Sequence, residues 1–257
     1  MTIEDFLNVG RIRSKMISYQ QKKERSIECC IKALEMSQSP YVSLSGGKDS
    51  VAMCYIVDEA ARMLGKNFRI WTHLSDASFP GTEETCRKVA ENLGRSWDVY
   101  RCETSAFDAI DGRYRAAFGK RGVFFDSIRE YAADKDLSFV GVRASESKRR
   151  RKGANVHGQI FQSESMGNVI VCHPVLWFRL EDVAATLYEY QAPIHPIYAK
   201  ASLDLGKNSQ GEEMFIRLSY ITSKDLLNKG TAVFLKLNYP REFAKLCESW
   251  PEIKRFV

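Results

Sequence analysis

The stretch Tyr41–Val57 reads YVSLSGGKDSVAMCYIV, a short apolar run, a turn carrying Gly46, Gly47, Lys48, Asp49 and Ser50, and an exit through apolar positions of helical spacing. A strand that enters a helix through a glycine turn commits the chain to α/β architecture and presents backbone N–H groups at the positive end of a helix. Ser45 and Ser50 add hydroxyl donors, Lys48 a full cation, and Asp49 a carboxylate able to hold Mg²⁺ against phosphate. A loop so built suits a polyphosphate. It is not a Walker A loop: Asp49 stands after Lys48 where Ser or Thr is required, and Val42 stands where the first glycine belongs.

The elements around this loop alternate. Strands are expected at Tyr41–Leu44, Phe68–His73, Trp97–Arg101, Ser138–Val142 and Asn168–Cys172, and helices at Ser50–Leu64, Thr82–Leu93, within Ala106–Ala133 and at Glu181–Tyr190. This pattern implies a parallel twisted sheet with helices on both faces. Residues 1–37 read as an N-terminal helical segment ended by SQSP, 38–200 as the nucleotide-binding domain, and 201–257 as a small C-terminal subdomain entered through the polar link SLDLGKNSQGEE. In a parallel sheet the site lies at the carboxyl ends of the strands. The Ser45 loop, Ser75–Gly81, the Cys102 region, Gly141–Ser147 and Cys172–Trp177 are therefore expected to face one cleft.

The 257 residues suffice for a full core, and no stretch approaches the roughly 18 uninterrupted apolar residues of a membrane span. The opening MTIEDFLNVGRIRSK has early acidic residues and no apolar signal core, so a cytoplasmic location is expected, with no membrane partner. Seven cysteines without CxxC or zinc-ligand spacing fit free thiols in a reducing compartment. Lys and Arg number 38 against 32 Asp and Glu, a net +6, concentrated in Lys148, Arg149, Arg150, Arg151 and Lys152 and, less densely, in QKKER at 21–25. The first run begins beside the expected cleft, which favours contact with a polyanionic second substrate such as DNA over a solvated surface.

SGGKDS at this strand-to-helix junction resembles the PP-loop of the ATP pyrophosphatase superfamily, SGGxDS. HLSDASFPGTEET, with Asp76, Phe79, Pro80, Glu84 and Thr85, is similar to the DTGxxFPET segment of the phosphoadenylyl sulfate reductase-like family, although Ala77 follows Asp76. GVRASESKRRR, HPVLWFRLEDV and IHPIYAK resemble three further motifs of that family in the same order, so the likeness spans residues 38–200. It implies that Ser45, Gly46, Gly47, Lys48, Asp49 and Ser50 hold ATP phosphates, that Asp76 lies near the base, and that the α–β phosphate bond breaks. Lys48, Asp49 and Arg143 are the expected catalytic residues, with Glu146 orienting Arg143 or helping to place a metal.

The family's reductases carry an ECGLH-type nucleophilic tail, and some add a CC and CxxC for an iron-sulfur cluster. Here Cys247 sits in KLCESWPEI and the pair Cys29–Cys30 precedes the loop, so no cluster is expected. The resemblance then extends to compact relatives in bacterial DNA phosphorothioation, which implies adenylation of a DNA backbone phosphate held by Lys148–Lys152, with sulfur from a cysteine desulfurase. Cys102 and Cys172, at strand ends, are the candidates for a sulfur relay, and a homodimer is a further expectation. The alternative is a thiol-dependent adenylyl sulfate reductase using Cys247; a third reading is a nucleotide-binding subunit without turnover. Arg217 is placed by the likeness where several relatives carry Arg before a cysteine.

Overall fold

A computed structural model describes residues 2–102, 122–200, 221 and 231–257. The link at 202–213, Arg217 and most of the helical stretch expected before residue 122 lie outside these described residues. Strands β1 (Pro40–Ser43), β2 (Arg69–Leu74), β3 (Trp97–Arg101), β4 (Leu137–Val140), β5 (Ile160–Ser163) and β6 (Val169–Cys172) form one sheet ordered β3-β2-β1-β4-β6-β5. Every pairing is parallel except β5 with β6. The five expected strands are all parallel, and β5 is an additional antiparallel strand at one edge. β5 reaches β6 through the tight Glu164–Met166 turn, which is too short for the crossover that a parallel partner requires.

Strand alternation divides the core between the two faces. Val42, Ile70, Phe139 and Cys172 stand in register across the middle of the sheet and are fully buried against helices on one side. Tyr41, Trp71, Val169 and Val171 point to the other side, where Ile128 of α5 (Gly122–Tyr131) covers them. The first side is covered by α2 (Ile17–Glu35), α3 (Lys48–Met63), α4 (Thr82–Leu93) and α7 (Leu180–Glu189). The helices expected from apolar spacing form where their apolar stripes meet this surface.

The N-terminal segment is two helices, α1 (Ile3–Arg13) and α2, broken at Ser14–Met16. Thr2 opens α1 with a capping box: its hydroxyl accepts from the Asp5 N–H, and Asp5 accepts from the Thr2 N–H. Both helices are fastened through Asp182, which is fully buried. Its carboxylate lies 2.7 Å from Arg13 of α1 and 2.6 Å from Lys22 of α2, and it accepts the Arg179 N–H at 2.8 Å, capping its own helix. The motif aspartate of LEDV thus has a structural task, joining three helices by one charge.

At the far end, α9 (Thr231–Asn238), α10 (Pro240–Ser249) and the closing turn Pro251–Phe256 build a second apolar cluster. It takes in Ala77 and Phe79 from the loop after β2, and Ile197 and Tyr198 from the short α8 (Ile197–Lys200). Phe79 meets Tyr239 edge-on at 5.4 Å. The described C-terminal helices therefore rest on the rim of the cleft, beside the loop expected to approach nucleotide. Among the described residues no helix is long and apolar enough to cross a membrane.

Asp182→Ala is expected to lower unfolding free energy by about 3 kcal/mol or more, because it strands two partly buried cations and removes a cap. Urea denaturation measures this loss; an unchanged midpoint would show that the N-terminal helices are held by apolar packing alone.

Candidate active site

The chain passes from β1 outward to β2 and β3, then returns across β1 to β4 and β6, so the connection reverses direction between β1 and β4. The loops leaving those two strands diverge around a crevice at their carboxyl ends, the usual ligand position in open α/β sheets. Ser45–Gly47 leaves β1, and Gly141–Arg143 leaves β4.

The first loop is braced by its serines. Ser50 Oγ donates to the Gly47 carbonyl at 2.9 Å, accepts the Ser45 N–H at 3.2 Å and lies 3.0 Å from Ser45 Oγ. Gly46 turns the chain at φ 74°, and a Cβ there would stand 3.3 Å from Cys86 Sγ, so the position requires glycine. Gly47 then caps α3, whose first turn carries Lys48, Asp49 and Ser50. The two serines thus reinforce the curve of the loop as well as offering hydroxyls to a ligand.

The second loop approaches the first as closely as glycine permits. A Cβ on Gly141 would lie 2.7 Å from Ser50 Cα. This contact brings buried Arg143 onto α3: its Nε is 2.6 Å from Asp49 Oδ1, while Nη1 donates to Ser145 Oγ at 3.0 Å. The other carboxylate oxygen, Asp49 Oδ2, lies 2.6 Å from Lys48 Nζ. Burial disfavours the Asp49 carboxylate, but Arg143 and Lys48 outweigh it and hold its pKa down at about 2. Two cations on one anion leave the crevice with a positive excess.

Tyr198 closes the loop from above, its Oη accepting the Lys48 N–H at 3.1 Å and its ring lying 5.9 Å from Lys48 Nζ. The motif IHPIYAK was the available signal for this residue, but nothing in the sequence linked it to Lys48. His195 fixes the same turn. The Ile197 N–H donates to Nδ1 at 3.0 Å, so the neutral ring carries its proton on Nε2 and donates to Thr82 Oγ1 at 3.1 Å.

Glu146 accepts the Arg143 backbone N–H at 3.2 Å and pairs with Arg150, while Asp49 and Ser145 contact the Arg143 side chain. The basic run forms α6 (Lys148–His157), capped by Ser147 Oγ on the Arg150 N–H at 3.1 Å. Arg150 is half-buried, and Lys148, Arg149, Arg151 and Lys152 are exposed beside the crevice. Asp76 is exposed on the loop after β2.

The cysteine candidates separate. Cys102 ends β3, its N–H on the Leu74 carbonyl at 2.8 Å. Cys172 is fully buried with Sγ 3.7 Å from Cys29 Sγ on α2, and its pKa is pushed well up by that hydrogen bond and by burial. A protonated core thiol is poorly suited to sulfur relay, which works through thiolate. Cys247 is buried in the C-terminal apolar cluster.

Among the described residues no three metal-ligating side chains gather. At the crevice Asp49 is a carboxylate able to hold Mg²⁺ together with phosphate oxygens.

This strand–loop–helix geometry defines a PP-loop nucleotide-binding domain of the α/β class. The model of the phosphoadenosine phosphosulfate reductase domain family matches residues 39–213, and the chain belongs to that family. No curated protein sequence matches it. Its fold is similar to that of phosphoadenylyl-sulfate reductase from Candida auris, solved as a phosphate complex, with 14% identity, TM-score 0.51, 77% of this chain and 91% of that one covered. It is also similar to Candida glabrata FMN adenylyltransferase with FAD and inorganic pyrophosphate, at 14% identity and TM-score 0.53 over 85% of this chain and 70% of that one. Yeast FAD synthetase with FAD gives 14% identity and TM-score 0.53, covering 77% and 70% of the two chains.

Burial holds His73 and His195 at about 4, and burial together with Arg150 does the same for His173. Each folded-state value lies below the ordinary value of about 6.5, so the stability these neutral rings contribute is complete above pH 6.5 and lost as pH falls toward 4. The thermal midpoint is expected to drop across that window, and His195→Gln to make the drop shallower. A flat profile between those pH values would contradict the neutral, buried assignment.

Proposed function

We propose that this protein is an ATP pyrophosphatase that adenylates an acceptor, and that the acceptor is a backbone phosphate of DNA activated for sulfur insertion. The observation that carries the first part is the Lys48–Asp49–Arg143 arrangement at the crevice between β1 and β4. Exposed Lys148, Arg149, Arg151 and Lys152, on the helix that follows the Arg143 loop directly, support a polyanionic acceptor.

In this reading the Ser45–Ser50 loop holds the β- and γ-phosphates of ATP. Asp49 would hold Mg²⁺ together with the phosphates, and the ion would supply charge neutralisation for departing pyrophosphate. Lys48 turns from Asp49 to phosphate, and Arg143, already desolvated, stabilises the charge that develops at the α-phosphorus. An acceptor oxygen forms a bond to that phosphorus as the α–β bridge breaks and pyrophosphate leaves. The terminal sulfur of a cysteine desulfurase persulfide then bonds to the acceptor phosphorus as AMP leaves, and a second thiol cleaves the S–S bond, freeing the phosphorothioate and forming a disulfide.

Membership of the reductase domain family gives the second reading, thiol-dependent reduction of an adenylyl sulfate, its own support. The burial of Cys247 among apolar side chains weighs against it, since that thiol would have to reach the crevice.

Pyrophosphate and AMP release from ATP with Mg²⁺, measured with and without DNA, tests the proposal. The expected result is release that rises with DNA and falls by about 100-fold or more in Lys48→Ala and Asp49→Ala, the scale of losing one electrostatic contact to the transition state. Silence with ATP, accompanied by thiol-dependent sulfite release from an adenylyl sulfate, would overturn it in favour of the reductase.

A further inference from the structure

Beyond Arg143 a cavity of about 440 Å³ opens between α6 and the loop that leaves β6. Ser145, Arg151, Leu176, Trp177 and Arg179 contribute to its lining. Its volume lies in the ordinary range for small-molecule sites. Leu176 is buried with Ala144 and Ala154 and makes an apolar floor. Trp177 rises beside it with 47% of its surface exposed, an uncommon state for the largest apolar side chain.

The loop holding Trp177 is ordered by its own backbone. Leu176 N–H donates to the His173 carbonyl at 3.2 Å, Phe178 N–H to the Val175 carbonyl at 3.0 Å, and Ala144 N–H to the Leu176 carbonyl at 2.8 Å. The indole is therefore presented on a fixed support. Arg151 and Arg179 are both exposed at this cavity, and among the described residues neither has an ion-pair partner. Their neighbour Arg150 is half-buried and tied to Glu146, whereas the other cations of the run are exposed.

We propose that this cavity is the acceptor-nucleotide subsite: one unstacked base of the acceptor strand lies on Trp177, and the flanking phosphates are held by Arg151 and Arg179. The inference rests on the nucleic-acid reading above and gives it a binding mode. An aromatic platform between cations is the recurring chemistry of single-stranded nucleic-acid recognition, because every base has a π-face and every linkage a charge. Ser145 lines the cavity and also accepts from Arg143, so a nucleotide seated there stands next to the guanidinium that faces Asp49. Bases paired within a duplex cannot stack on the indole, so the subsite selects a strand that is open or has one base extruded.

The test is fluorescence anisotropy of a short fluorescein-labelled oligothymidylate with the full chain and no ATP. Trp177→Ala is expected to weaken binding by roughly tenfold while Trp177→Phe retains most of it, and an abasic oligonucleotide should bind wild type weakly. Arg151→Ala with Arg179→Ala should reduce the salt slope by about 1.4, two phosphate contacts on a single strand. Failure of wild type to bind, or equal binding by wild type, Trp177→Ala and Trp177→Phe, would overturn the subsite. Pyrophosphate release separates the two readings. DNA-stimulated release that ignores Trp177→Ala removes the subsite and leaves the adenylation, whereas binding that depends on Trp177 without any ATP turnover retains the subsite and removes the adenylation.

Discussion

The contact between Asp49 and Arg143 joins what two distant parts of the chain bring to the crevice. A carboxylate at the start of α3 and a guanidinium at the end of β4 are both largely shielded from water, and each would be costly alone. Their pairing makes the close approach of the two loops sustainable and sets Lys48 on the remaining carboxylate oxygen. Charge that would otherwise destabilise the crevice becomes its organising element. A polyphosphate entering it exchanges with an anion already in place.

The layers behind the crevice exist to keep that pair in register. β1 and β4 are adjacent in the sheet, with Val42 opposite Phe139, which fixes where the two loops emerge. Gly141 removes the one side-chain atom that would separate them. Farther out, the same strategy recurs with Asp182, where one buried carboxylate binds cations from both N-terminal helices. Two buried anions thus hold together the site and the N-terminal layer, and in both places several hydrogen bonds or ion pairs share the desolvation.

Much of this was legible in the chain. The loop SGGKDS, the alternation of elements and the carboxyl-end rule located the crevice, because local composition and periodicity carry that information. The edge strand Ile160–Ser163 was not legible: its residues are half-buried or exposed, so it lacks the apolar run that marked the interior strands. Helix α6 was hidden because its sequence, KRRRKGANVH, buries only Ala154 and so has no apolar stripe. Nothing in the sequence linked Arg143 to Asp49, which meets its guanidinium from the first turn of α3. Phe79 and Asp182, parts of motifs shared with the family, are anchors for packing and capping, a role that only the structure's contacts supply.

Tyr198 gives the C-terminal helices a connection to the phosphate loop. Its ring belongs to their apolar cluster while its hydroxyl accepts the N–H of Lys48, the first residue of α3. One phenol therefore works as a latch between these two parts of the chain. A displacement of the helices that carry this ring would cost the Lys48 N–H its acceptor. The seat of the phosphate loop is therefore set by the far end of the chain as well as by the strand that carries it.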